Sequence, residues 1–447
     1  MMTPYISLAI RIFTLLLLAT GLLTRPAQAQ LAPATVPVSD SLARYFLARA
    51  MTMQGLDRLS GTERREFASW AGKAGTRFAG RVGGFWYTPE NPKQEQALFD
   101  TTRQGVAALR AASPAIVVQG SVFEIVYPHV TNLPVPNAVR IMFGEDTLAV
   151  PTRHFRFQDM MYPAYYGPTN TERFRWYDLP PGEAPGVPDM SRPETQLWFF
   201  SCAKRLLDAG CEAIHFGQVT LMNRRDLGHQ GWHTMLQKVR HYAATRNRGF
   251  VLCDAHTHGE YYDPDPRHPL PDSARQLLFD FNSFPLRATE TDTIRSGQHG
   301  VRLDVTARYA EGQAIFQHSK GGIAPRGYPV QHQPALVELD NWGITNQPGK
   351  PGQWPYLWGF DEISWFATQS AEFRNQWLVY AHARVRQLDL NTYLQLPGIR
   401  GVTAAPPQPD WLYRADVMGQ QDIIPAIWAG KTVTQAEQLL LVGPHAK

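Results

Sequence analysis

Short apolar runs alternate along the chain with stretches where apolar residues return every three or four positions. The first pattern reads as buried strands and the second as helices lying against them. Strands are expected over residues 81–87 (RVGGFWY), 115–127, 212–216, 250–255, 277–281, 314–317, 335–339 and 392–396. A helix is expected over 92–111. The next opens on Ser191-Arg-Pro-Glu194, which has capping-box form. Trp198, Cys202, Leu206 and Ala209 then share a face, and Gly210 ends it. Trp232, Leu236, Val239 and Ala243 mark another. Asp361 caps a long one carrying Ile363, Phe366, Phe373, Trp377 and Val385.

Strands alternating with helices imply an α/β fold with a parallel sheet. Eight of them suggest a (β/α)8 TIM-like barrel with long loops inserted on its C-terminal face. The competing architecture is a doubly wound open sheet, but no GxGxxG or Walker motif opens any strand–helix turn.

Two segments stand outside that rhythm. Residues 1–29 place Arg11 before an apolar run, Ile12 to Leu23, and end on Ala27-Gln28-Ala29. This is the form of a cleavable secretory signal peptide, so a secreted or periplasmic protein without a membrane anchor is expected. Residues 30–447 then form a single barrel domain. Within it, residues 128–190 interrupt the alternation with ten prolines and nine aromatic residues. A loop that long is usually functional or disordered. Its aromatic content argues for order, as a lid or small subdomain.

Composition narrows the classes. Of the 447 residues, 44% are hydrophobic and 18% charged, which excludes general disorder. The formal charge is +4 with no Lys/Arg-rich block, so no nucleic-acid partner is expected. Cys202, Cys211 and Cys253 cannot all pair within one chain and read as buried, inert thiols.

Barrel active sites sit at the C-terminal ends of the strands, and polar residues gather there. They are Glu124, His129, His215, Gln218, Asp254, His256, His258, Asp280, Asn282, His318, Glu338, Asp340, Asn341 and Gln395. A carboxylate inside an apolar strand is costly to bury without purpose. Trp342, Trp354 and Trp358 fall on the loop after the seventh strand. Sugar rings offer apolar C–H faces and hydroxyl edges, so flat aromatics with carboxylates, amides and imidazoles suit a carbohydrate.

Glycoside hydrolysis needs two carboxyl groups, one giving a proton and the other acting as nucleophile or base. The best pair is Asp254 with Glu338. At this point the chain resembles the large clan of retaining TIM-barrel glycosidases, whose acid/base follows strand four and whose nucleophile follows strand seven. The resemblance implies Glu338 as nucleophile and Asp254 as acid. Asp254-Ala-His256 departs from that clan's Asn-Glu pair. Glu124, His215, Gln218, His256, Asp280 and Asp340 would hold hydroxyls, and Trp342 and Trp358 would stack on the sugar. The stretches CDAH and ELDNWG also look like those of a family of bacterial secreted proteins.

No cofactor is expected in this reading. A metallohydrolase is the alternative, since Asp254-Ala-His256-Thr-His258 resembles the HxH of amidohydrolase-type enzymes. His215, Asp280 or His318 could complete the metal shell. A non-catalytic glycan-binding barrel is a third possibility. The glycosidase reading expects Glu338→Gln to abolish turnover and leave stability nearly intact.

Overall fold

The computed structural model describes residues 38–85, 87–177, 179–246, 248–286, 291–294, 298–301, 318–340, 361–403 and 411–441. Residues 1–29, the strand expected at 314–317, and Trp342, Trp354 and Trp358 lie outside them.

Eight parallel strands form one sheet in chain order. They are β1 (Ala50–Met53), β2 (Phe78–Phe85), β3 (Val117–Val122), β4 (Ala213–His215), β5 (Leu252–Asp254), β6 (Asn282–Pro285), β7 (Ala335–Glu338) and β8 (Thr392–Val402). β8 pairs back onto β1, Met51 against Leu396. The remaining gap closes where the Ser283 amide donates to the Ala255 carbonyl at 3.0 Å, beside a His256–Ser283 bridge. The sheet is therefore a (β/α)8-type barrel.

The strand count differs from the sequence expectation by one at its start. β1 (AMTM) is short, fully buried and carries no alternation, so periodicity does not reveal it. The segments expected as strands one to four are β2 to β5. β6 (NSFP) follows directly on the expected fifth strand, whose apolar run 277–281 lies mostly outside the sheet. Asn, Ser and Pro are poor strand formers, which hides β6.

Helices cover the outside. α1 (Asp40–Leu47) precedes β1; α2 (Gly61–Ala74) and α3 (Pro92–Ala112) follow β1 and β2. α4 (Pro193–Asp208) and α5 (Gln230–Ala244) follow β3 and β4; α6 (Glu362–Ala367) and α7 (Ala371–Leu388) lie between β7 and β8. Their starts follow local chemistry. Ser60 and Glu63 close a capping box on α2, Asn91 caps α3 ahead of Pro92, and Asp361 accepts from the Ser364 amide. The expected box on α4 does not form. Glu194 is drawn instead to Arg153 at 2.9 Å, and Ser191 to Asp189. The segment between β3 and α4 is ordered and buries Phe155 edge-on against Trp198 and stacks Tyr162 on Phe174. All three cysteines are buried and free. Among the described residues no helix is long and apolar enough to cross a membrane.

The barrel interior decides where chemistry can occur. Alternate residues of a strand share a face, so positions two apart point inward together. The lower inward positions are apolar on all eight strands, and the next ones up are polar on seven. The pairs are Ala50–Thr52, Phe78–Gly80, Val117–Gln119, Ala213–His215, Leu252–Asp254, Phe281–Ser283, Leu336–Glu338 and Tyr393–Gln395. Ala43, Phe46 and Leu47 of α1 pack into the lower layer and plug the barrel floor. The polar layer thus has an apolar seal below it and opens toward the C-terminal ends of the strands.

Candidate active site at the barrel mouth

Two arginines and one carboxylate form the centre of the polar layer. Glu338 at the end of β7 is 3% exposed, and both its oxygens are held. Arg81 of β2 donates to Oε1, and Arg400 of β8 donates to Oε2 at 2.8 Å. Gln395 stands 3.4 Å from Oε2 and also donates to Thr52 at 2.6 Å. Burial alone would raise the Glu338 pKa. The charges of Arg81 and Arg400 outweigh it and hold the carboxyl well below the usual carboxylate range.

Both arginines sit on irregularities of their strands. Arg81 has φ +60°, and the β2–β3 register slips between Ala79 and Gly83. Its amide is satisfied by the Gln119 side chain at 3.2 Å. On β8 the register with β1 slips at Gly398, whose absent Cβ would meet the Met51 side chain at 2.5 Å. The slip turns Arg400, rather than Ile399, toward the interior. Bulges re-aim side chains in this way beside active sites. A non-glycine residue held in the left-handed region costs about 1–3 kcal/mol and persists where its surroundings enforce it.

A second carboxyl lies across the layer. Asp254 of β5 is fully buried. Gln119 donates to Oδ1 at 2.7 Å, while Ser283 and His215 Nδ1, the latter at 2.8 Å, engage Oδ2. Burial pushes its pKa up to about 7, against the opposing effects of Ser283, Arg81, Gln119 and His256. His215 is wholly buried as well. Burial, then the charges of Arg81 and His256, push its pKa well below the usual value, so it stays neutral. The His215 and His256 rings meet edge-on at 4.6 Å. His256 Nε2 lies 2.9 Å from Arg81 Nη2 and 4.0 Å from Glu338 Oε1.

Glu124 stands just above β3, beside this layer. The Gln218 amide and side chain donate to its two oxygens at 2.9 and 2.7 Å. Gly217 makes that approach possible. Its φ is +58°, and a Cβ there would lie 2.0 Å from Glu124 Oε2. Gly217→Ala is therefore expected to lower stability by about 1–2 kcal/mol from backbone conformation alone, and further by separating Glu124 from Gln218. Thermal melting checks this, and an unchanged midpoint would refute it.

The structure thus brings Glu338, Asp254, His215 and His256 together, with Glu124 and Gln218 as a neighbouring pair. Asp340 joins through Arg400 at 3.6 Å. Asp280 is engaged elsewhere, accepting from the Cys253 amide at 2.9 Å and from Arg240 at 3.2 Å. Asp254 follows the fifth strand, not the fourth; His215 occupies the fourth-strand position. His258 packs on Phe284 at 4.4 Å, and His318 pairs with Asp389. Among the described residues no three His, Cys, Asp or Glu side chains are grouped to hold a metal. Sequence reasoning missed Arg81, Arg400, Gln119 and Ser283. Glycine inside a strand pattern marks a bulge, and Gly83-Gly84 and Gly398 were the available signal for the arginines.

No family model and no curated protein sequence matches the chain. Among solved structures it is similar to a debranching enzyme from Nostoc punctiforme, with 10% identity over 44% of this chain and 38% of that one (TM-score 0.28). It is also similar to a dextranase from Flavobacterium johnsoniae complexed with glucose, with 15% identity over 47% of this chain and 25% of that one (TM-score 0.25). A cyclic α-maltosyl-(1→6)-maltose hydrolase from Arthrobacter globiformis is 9% identical over 82% of this chain and 72% of that one (TM-score 0.37). The chain spans less than half the length of the first two. These likenesses assign no role to any residue.

Proposed function

We propose that this protein is an exported glycoside hydrolase that works at the barrel mouth. Glu338 is the anionic group, nucleophile or base, and Asp254 is the source of the proton. One observation carries the reading. Two carboxyl groups share a buried polar layer, yet their surroundings drive them to opposite states. Arg81 and Arg400 keep Glu338 ionised, while burial keeps a proton on Asp254 up to about pH 7. Carboxyl pairs whose environments push their pKa values apart mark acid and base assignments, and glycoside hydrolysis needs one of each. The amide and imidazole beside them, Gln218 and His256, suit hydroxyl groups.

The test is hydrolysis of a panel of α- and β-linked oligosaccharides and aryl glycosides, read by released reducing sugar. The wild-type protein should cleave at least one class, and a chelator should leave that rate unchanged. Glu338→Gln, assayed where circular dichroism shows it folded, should lose on the order of 10²–10⁴-fold or more. No cleavage of any linkage by the wild-type protein would overturn the proposal.

A further inference from the structure

Asp254 cannot itself reach a substrate. Its carboxyl is fully enclosed, with Gln119 on one oxygen and Ser283 and His215 on the other. His215 has one nitrogen committed to Asp254. The other, Nε2, is buried and has no hydrogen-bond partner among the described residues. Leaving a buried polar atom unpaired costs about 1–3 kcal/mol, and natural cores do so where a role compensates. Phe123 and His256, both partly exposed, flank the His215 ring at 5.6 and 4.6 Å and separate it from the mouth.

We propose that His215 is the catalytic proton carrier and that its Nε2, enclosed here behind Phe123 and His256, meets the leaving-group oxygen when substrate turns one of those two side chains aside, with Asp254 behind it as the proton reservoir. This rests on the glycosidase reading above. The step balances without a cation on the ring. Nε2–H passes to the glycosidic oxygen as the bond from that oxygen to the anomeric carbon breaks, its electron pair staying on oxygen. The Asp254 proton moves to Nδ1 in the same event. A Glu338 oxygen bonds to the anomeric carbon as the glycosidic bond leaves, so the products are an alcohol, a glycosyl ester of Glu338, the Asp254 carboxylate and a neutral imidazole carrying its proton on Nδ1. When water attacks the anomeric carbon, its bond to Glu338 breaks and the electron pair returns to the carboxylate, while the water gives its proton to Nε2 and Nδ1 returns one to Asp254. A neutral ring at every resting stage suits this place. Arg81 from β2 and His256 beyond β5 face His215 and oppose a second proton on it, and Glu338 and Asp340 from the β7 side do not outweigh them.

Two measurements test it. In protein labelled with ¹⁵N-histidine, the His215 signals are assigned by their loss in His215→Gln. At pH 5.5 Nε2 should carry the proton and Nδ1 should not; at pH 8.5 the two should exchange roles. A doubly protonated ring at pH 5.5, or one tautomer throughout, would overturn the proposal. This result is independent of whether any glycan is cleaved, so it fails separately from the glycosidase reading. On a cleaved sugar, His215→Gln and Asp254→Asn should each slow alkyl glycosides on the order of 10²–10⁴-fold. Both should spare dinitrophenyl glycosides, whose leaving groups need no proton. The double variant should lose no more than either single one. Equal losses on both leaving groups would overturn the role of His215.

Discussion

Replacing Glu338 by Gln should destabilise the protein by about 3–5 kcal/mol, the usual result of removing one member of a buried ion pair. The amide keeps the shape of the carboxylate but leaves the guanidinium groups of Arg81 and Arg400 facing each other with no counter-charge between them. Asp340, 3.6 Å from Arg400, offsets only part of this. The midpoint of thermal unfolding should fall by several degrees. Adding Arg400→Met to the same chain should recover part of the loss, because the surplus charge goes with it. A single variant melting with the wild-type protein would mean that Glu338 does not hold the two arginines. The sequence alone leads to the opposite expectation, that this substitution spares stability, because the arginine partners were not visible there.

Asp254→Asn should have a pH-dependent effect of opposite tendency. The folded carboxyl titrates at about 7, above its unfolded value of 3.8. Below 3.8 both states are protonated and nothing is lost. As pH rises toward 7 the unfolded chain ionises while the folded one does not, so stability declines. Above 7 the decline levels off at about 4 kcal/mol, from roughly three pKa units at 1.36 kcal/mol each. Asparagine cannot ionise and escapes this decline. The stability difference between variant and wild type should therefore move in favour of the variant by up to about 4 kcal/mol between pH 4 and pH 8. His215, depressed by burial, acts in the other direction in both proteins and largely subtracts out. Unfolding curves for the pair at pH 4, 6 and 8 measure the effect. A difference constant across that range would refute the assignment of the raised pKa to Asp254.

The helices were legible because their signals are local. Asn91 before Pro92, and Asp361 before an apolar-periodic stretch, act within one turn. Strands were legible where apolar runs were long, as at 117–122 and 335–338. They were not legible at Ala50–Met53, which is too short to show a pattern, nor at Asn282–Pro285, where residues disfavoured in strands occupy one. Of the site, the carboxylates and His215 stood out because a polar residue in an apolar strand is conspicuous. The arginines did not. Arg81 and Arg400 point inward only because their strands bulge, and a bulge changes the inward set without changing composition. Asp280 misled for the converse reason: an acidic residue beside a strand looks the same whether it serves a substrate or, as here, pins Arg240 of α5 to the β5 backbone.

The closure of β8 onto β1 has a temporal consequence. Glu338 receives one arginine from the second strand and the other from the eighth, so its surroundings span most of the barrel. During synthesis, domains generally fold as units once their segments are available. A ribosome-bound chain that has reached β7 already contains Glu338 and Arg81 but still lacks Arg400 and the strand that completes the ring. The polar layer is therefore complete only when β8 has joined β1 and brought Arg400 to Glu338.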